Sequence, residues 1–135
     1  MTTSPTADDL YKYIGMAFEQ AKSDPKLVQK LSGTPGVLKV IATEPDGCIV
    51  IDLPGVTAVP SSPDDEADAT LRMSSDFANR FWQGDLNLLM AVTRGEVVLE
   101  GKMALIAKAV PAAKELFPIY IELLKSDGRT DLLVK

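Results

Sequence analysis

The chain of 135 residues has no histidine and only one cysteine, Cys48. Without imidazole, Ser-His-Asp and Cys-His catalysis are excluded, and so are histidine metal sites. One thiol makes neither a disulfide nor a thiolate zinc site, so Cys48 fits a reducing compartment and reads as a small core side chain. Positive charge is scarce too: the net charge is −5 and no basic stripe is present, which excludes a nucleic-acid partner. Long apolar runs are missing. The greasiest segment, residues 102 to 125, is broken by Lys102, Lys108, Lys114, Glu115, Glu122 and Lys125. No stretch of about 18 uncharged apolar residues is left to span a bilayer, and a soluble protein is expected. The opening MTTSPTADDL lacks the positive start and apolar run of a secretory signal, and the closing DLLVK is not a Ser-Lys-Leu address. A cytoplasmic protein is therefore expected. The acidic run Asp64, Asp65, Glu66 and Asp68 lacks the spacing and internal glycine of an EF-hand, so it reads as a solvated loop and no metal site is assigned. Carboxylate pairs arise by chance among 19 acidic residues, so no catalytic role and no cofactor are assigned either.

The length fits one domain, residues 1–135, with a core over about 6–125 and a tail over 126–135. A hydrophobic share of 46% is ordinary for a globular chain, so any cavity has to be argued from pattern. Thr6 and Asp9 predict a capped helix, with Leu10, Ile14, Ala17, Phe18 and Ala21 on its apolar face. Pro25 opens a second helix ending at Gly33. Val37 to Thr43 and Gly47 to Leu53 are β-branched runs joined by the turn Glu44-Pro45-Asp46-Gly47, which predicts a hairpin. A short strand over Val56 to Val59 follows, then the loop from Pro60 to Glu66, then a half-buried strand in which Ala69, Leu71 and Met73 alternate with polar residues. Ser74 or Ser75 caps a helix that ends at Gly84, and Asn87 caps another that ends at Gly95. Val97 to Leu99 makes a brief strand before Gly101. From Lys102 onward the pattern is helical, with a kink or restart expected at Pro111 and again at Pro118. The tail residues Leu132, Leu133 and Val134 either dock or fray.

The richest stretch is 67–107: Ala67-Asp68 before the strand Ala69 to Met73, Asp76-Phe77 opening a helix that ends at Gly84, Gly95 and Gly101 flanking a strand, and Lys102 to Ala107 starting the next helix. This ordered set resembles the sterol carrier protein type 2 (sterol-binding) family. Pro111, Pro118 and the charged tail depart from that family's simpler ending. The resemblance implies an α+β fold, a sterol-carrier-protein-like α/β sandwich in which one mostly antiparallel sheet of about five strands is covered by about five helices around an apolar tunnel. It also implies a tunnel ligand, whether a fatty acid, a fatty acyl-CoA, a sterol or a phospholipid. The apolar cluster Phe77, Phe81, Trp82, Leu89, Met90, Met103, Ile106, Leu116 and Phe117 reads either as plain core or as the lining of such a tunnel. Met90 and Met103 suit an adaptable pocket. Arg72, Arg80 and Arg94 are the candidate headgroup partners, with a solvated surface role as the alternative.

Two functions from different classes are expected. One is a non-catalytic lipid carrier with transient membrane or protein contacts. The other is an interaction module that uses an apolar groove around Phe117, Ile119, Tyr120 and Leu123 for a partner or a second copy. A third reading is an accessory subunit of a lipid-modifying enzyme, since the family's domain also occurs fused to enzymes.

Overall fold

The computed structural model describes residues 5–34, 36–44 and 46–133. Pro45 of the expected turn, the first four residues of the chain and Val134 lie outside them. Helix α1 (Ala7–Ala21) starts from Thr6 with a reciprocal cap: the Asp9 amide donates to the Thr6 hydroxyl, and the Thr6 amide donates to the Asp9 carboxylate, both at 3.0 Å. Helix α2 (Pro25–Ser32) follows, capped by Asp24. The strands β1 (Val37–Thr43), β2 (Gly47–Asp52), β3 (Thr57–Pro60) and β4 (Ala69–Ser74) precede helices α3 (Ser75–Trp82) and α4 (Leu88–Thr93). Strand β5 (Val98–Gly101), helix α5 (Met103–Ala113), a 3-10 turn over Lys114–Leu116, helix α6 (Phe117–Ser126) and a final 3-10 turn over Thr130–Leu132 complete the chain.

The sheet has the order β3-β2-β1-β4-β5. All pairings are antiparallel except β1 with β4. Register decides which side chains meet the helices, because alternate residues face opposite sides. Leu38, Val40 and Ala42 of β1 share the core face with Ile49 and Ile51 of β2 and with Ala69, Leu71 and Met73 of β4. This fold is the expected α+β sandwich with a mostly antiparallel sheet.

The chain leaves β3 at one edge and must reach β4 on the far side of β1, so residues 61–68 cross the outer face of the sheet. Lys39 holds this crossing. It is buried on β1, and its ammonium donates to the carbonyls of Pro63 and Asp65 at 2.5 and 2.7 Å. Cys48 lies beneath the same crossing, buried, with its sulfur 3.2 Å from the Ser61 hydroxyl. Asp68 then locks the start of β4: its carboxylate accepts from the Val37 amide at 2.8 Å and lies 3.5 Å from the Lys102 ammonium. At Gly101 a side chain is excluded twice over. Its φ is +90°, and a Cβ there would stand 2.6 Å from the Asp68 carbonyl oxygen.

Pro111 does not interrupt α5, which runs two residues past it. The carbonyl that its ring displaces belongs to Ala107, and both residues are exposed. The restart falls at Pro118, in the first turn of α6, where an amide has no helical partner anyway.

The tail docks. Arg129 grips Asp9 through two guanidinium nitrogens at 2.8 and 3.3 Å and also pairs with Asp131 at 3.1 Å. Asp127 accepts from the Tyr13 hydroxyl at 2.9 Å and pairs with Lys12 at 2.9 Å. Leu132 is fully buried, and its carbonyl accepts from Asn79 and Gln83, each at 2.9 Å.

These contacts set a pH limit. Arg129 holds the carboxyls of Asp9 and Asp131 below their ordinary 3.8, and Lys12, followed by Tyr13, does the same for Asp127. A carboxyl whose folded pKa is depressed contributes stability that is present above its unfolded pKa and lost as pH falls through the folded one. Thermal melts are therefore expected to show a falling midpoint between about pH 5 and pH 2. Arg129→Gln should flatten that fall by releasing Asp9 and Asp131. A variant as acid-sensitive as the parent would refute the assignment.

Candidate functional site

Helices α1, α3 and α5 cover the core face of the sheet, and a void of about 30 Å³ lies between the layers. Its sheet wall is built from Leu38, Val40, Ile51, Leu53, Leu71 and Met73. Phe18 of α1, Phe81 and Trp82 of α3, and Ile106 and Val110 of α5 close it from the helix side. A space of this size holds one or two waters, and its lining offers a water almost no polar partner, so it is a dry gap. Outside it, between α4, α5 and the start of α6, runs an open groove of about 860 Å³. Leu86, Leu88, Leu89, Val92 and Leu99 line one wall, and Ala107, Pro111, Lys114 and Phe117 line the other. Phe81, Ile106 and Val110 belong to both spaces and form the partition between them. The interior is thus nearly filled, while the groove falls within the size range of small-molecule sites.

Aromatic packing sets the partition in place. Trp82 is buried and meets Phe18, Phe81 and Phe117 edge to face, with centroids 6.0, 5.5 and 6.2 Å away. Phe81 and Phe117 also meet edge to face at 5.4 Å. Each geometry places a positive ring edge against a negative ring face.

Of the residues singled out from the sequence, Phe81, Trp82, Leu89, Ile106 and Phe117 come together at the void and groove. The others do not. Leu116 is fully buried away from both spaces. Phe77 lines a shallow depression beside Arg72, Glu96 and Val98. Met90 and Met103 are exposed at 48% and 47% and do not line the groove; Met103 lines a separate depression with Asp68, Lys102 and Lys108.

None of the three arginines lines the groove. Arg72 points from the outer sheet face toward Glu100 at 3.9 Å, Arg80 pairs with Asp76 at 3.1 Å, and Arg94 closes α4. The base in the groove wall is Lys114, which sequence reasoning missed. Its signal was the spacing Ile106, Val110, Lys114, which at four-residue steps puts the lysine at the end of one apolar stripe. The patch around Phe117, Ile119, Tyr120 and Leu123 is not an exposed groove, because Tyr120 and Leu123 are buried against the core.

Among the described residues, no group of three or more histidine, cysteine or acidic side chains could hold a metal ion, and no helix is long and apolar enough to cross a membrane.

A five-stranded sheet roofed on one face by helices, with an apolar groove beside it, is an α+β sandwich. The chain belongs to the SCP-2 sterol transfer family, whose model matches residues 16–114. No curated protein matches the sequence. Three solved structures are similar to it. The sterol carrier protein domain 2 of Helicoverpa armigera aligns with a TM-score of 0.64 at 20% identity, over 86% of this chain and 95% of that one. A conserved hypothetical protein of Thermus thermophilus, possibly a sterol carrier protein, aligns at 0.66 and 20%, over 90% and 94%. Sterol carrier protein 2 of Aedes aegypti, in complex with palmitate, aligns at 0.59 and 27%, over 82% and 96%.

Proposed function

We propose that this protein is a non-catalytic cytoplasmic carrier that takes a fatty acyl, sterol-like or phospholipid ligand through the groove between α4, α5 and α6 into the layer between helices and sheet. The observation that carries this reading is the shared wall of Phe81, Ile106 and Val110: an open apolar groove lies on one side and a dry gap on the other. Palmitate binding by the Aedes aegypti protein supports it.

The gap of about 30 Å³ is too small for an acyl chain, so loading needs the partition to open. Burying about 15 methylenes gains on the order of 12 kcal/mol at about 0.8 kcal/mol each. Association and ordering cost roughly 4 to 15 kcal/mol, which leaves affinity in the micromolar range. Binding of that kind selects for length and shape and is reversible, as a carrier requires.

Native mass spectrometry of the purified protein and titration with a fluorescent fatty acid test the reading. Saturable, displaceable binding is expected. Phe81→Ala, which removes part of the partition, is expected to tighten long-chain binding several-fold. Ala107→Glu, at an exposed helical position in the groove wall, is expected to weaken it about tenfold with circular dichroism unchanged. Absence of binding across several lipid classes would transfer the groove to the second reading, a surface for a protein partner.

A further inference from the structure

We infer that the outer face of α4 and α5 docks on an anionic bilayer, so that the groove opens onto the lipid surface from which it loads. The inference rests on the carrier reading above and adds its partner and its orientation.

The first observation is exposed apolar bulk. Leu89 and Met90 on α4 are exposed at 77% and 48%, and Met103 at the start of α5 at 47%. These are among the largest exposed apolar side chains of the described residues: Leu89 lines the groove, Met90 follows it on α4, and Met103 lines the next depression along α5 with Ala104 and Lys108. The outward arc of α5 continues the surface with Ala104, Ala107 and Pro111. Such side chains are the size that inserts among headgroups, and a flanking base strengthens the insertion on an anionic surface.

The second observation is where unneutralised positive charge lies. Lys12, Lys22, Lys30, Arg72, Arg80, Lys102, Lys125 and Arg129 each have a carboxylate partner. Lys39 is buried against carbonyls. Among the described residues, the bases left without an acidic partner are Lys26, Arg94, Lys108 and Lys114. Lys108 lies on the exposed side of α5, Lys114 caps its C-terminal end, and Arg94 ends α4.

Neither helix contains an acid. Glu100 pairs with Arg72, and Glu96 borders the depression that Arg72 also lines on the outer sheet face. Asp85 is the acid of the groove wall. On a chain of net charge −5, three of the four free bases lie on α5 or at the ends of α4 and α5, where they complement an anionic surface, while the rest of the molecule is repelled by it. Docked in this way, the groove lets an acyl chain pass from the bilayer to the partition without crossing water.

The test is flotation of the purified protein with phosphatidylcholine vesicles, with and without phosphatidylglycerol, at low and high salt. Binding is expected only with phosphatidylglycerol and is expected to fall with salt. Lys108→Glu and Met103→Asp lie outside the groove wall, and an aspartate in a first helical turn is favourable. Each is expected to weaken vesicle binding roughly tenfold or more, with fatty-acid affinity in vesicle-free buffer unchanged. Variants that float as the parent does would overturn the inference, as would binding indifferent to phosphatidylglycerol. Concentration-dependent dimerisation in sedimentation velocity, lost in Met103→Asp, would overturn it by making the face an interface between copies. Loss of fatty-acid binding by the parent itself would count against the carrier reading, whatever the vesicles do.

Discussion

Trp82→Ala is expected to lower the free energy of unfolding by about 3–5 kcal/mol, the largest loss foreseen for a single apolar truncation here. Trp82 is buried where α1, α3 and the start of α6 converge, and its ring meets Phe18, Phe81 and Phe117 edge to face. Truncation removes the transfer energy of the indole and leaves a cavity that these neighbours close only in part, because each is also held by its own backbone. Urea unfolding measures the loss. Trp82→Phe keeps most of the volume and is expected to cost well under half as much. A drop below about 1 kcal/mol for the alanine variant would show that the cluster collapses freely. That outcome would also undercut the rigidity of the partition, since Phe81 leans on Trp82 at 5.5 Å.

The second large effect is polar. Asn79 is fully buried on α3; its amide nitrogen donates to the Leu132 carbonyl at 2.9 Å, and its oxygen accepts from Gln83 at 2.9 Å and from the Tyr120 hydroxyl at 2.8 Å. One side chain thus joins α3, α6 and the tail. Burial pushes the Tyr120 hydroxyl pKa well up, so it stays a neutral donor throughout the physiological range. Asn79→Ala strands that hydroxyl in the core and cuts one of the two bonds to the Leu132 carbonyl, an expected cost of about 3 kcal/mol. Tyr120→Phe removes the donor instead and is expected to cost about 1 kcal/mol. In the double variant the stranded hydroxyl is gone, so the total should fall short of the sum by about 1 kcal/mol. Strict additivity by urea unfolding would mean that the two groups are not coupled.

Most of the secondary structure was legible because its causes are local. Thr6 and Asp9 cap α1, Asn87 caps α4, and Pro25 begins α2, all through groups within three residues of one another. The alternation of Ala69, Leu71 and Met73 marks the buried face of β4 in the same way. What was not legible has its cause elsewhere in the fold. Nothing in the strand pattern marks Lys39 as buried, which it is because the connection from β3 to β4 is laid over it. Pro111 looks like a break, yet α5 runs on to Ala113 with Pro111 on its exposed side. The tail, open between docking and fraying, is settled by Asp9, Tyr13, Asn79 and Gln83, all from the other end or the middle of the chain.

The candidate site divides along the same line. Phe81, Ile106 and Phe117 could be picked out because they repeat at helical spacing on apolar faces. The same pattern marks Leu116 and Met103, of which one is deep in the core and the other stands in solvent. Periodicity reports which face of a helix is apolar, but not whether that face meets packed side chains, a gap or water.

By itself the amino-acid order determined most of the helices and strands, the alternation that gives the sheet its apolar face and the lack of any histidine-based chemistry. Those properties follow from capping, alternation and composition, which act over a few residues or none. Tertiary structure alone decided that the interior is closed to about 30 Å³, that the accessible space is a groove behind Phe81, Ile106 and Val110, and that Lys114, which has no acidic partner among the described residues, stands in its wall. Volume and charge pairing depend on how separate helices approach one another, and that distance is written in no single segment of the chain.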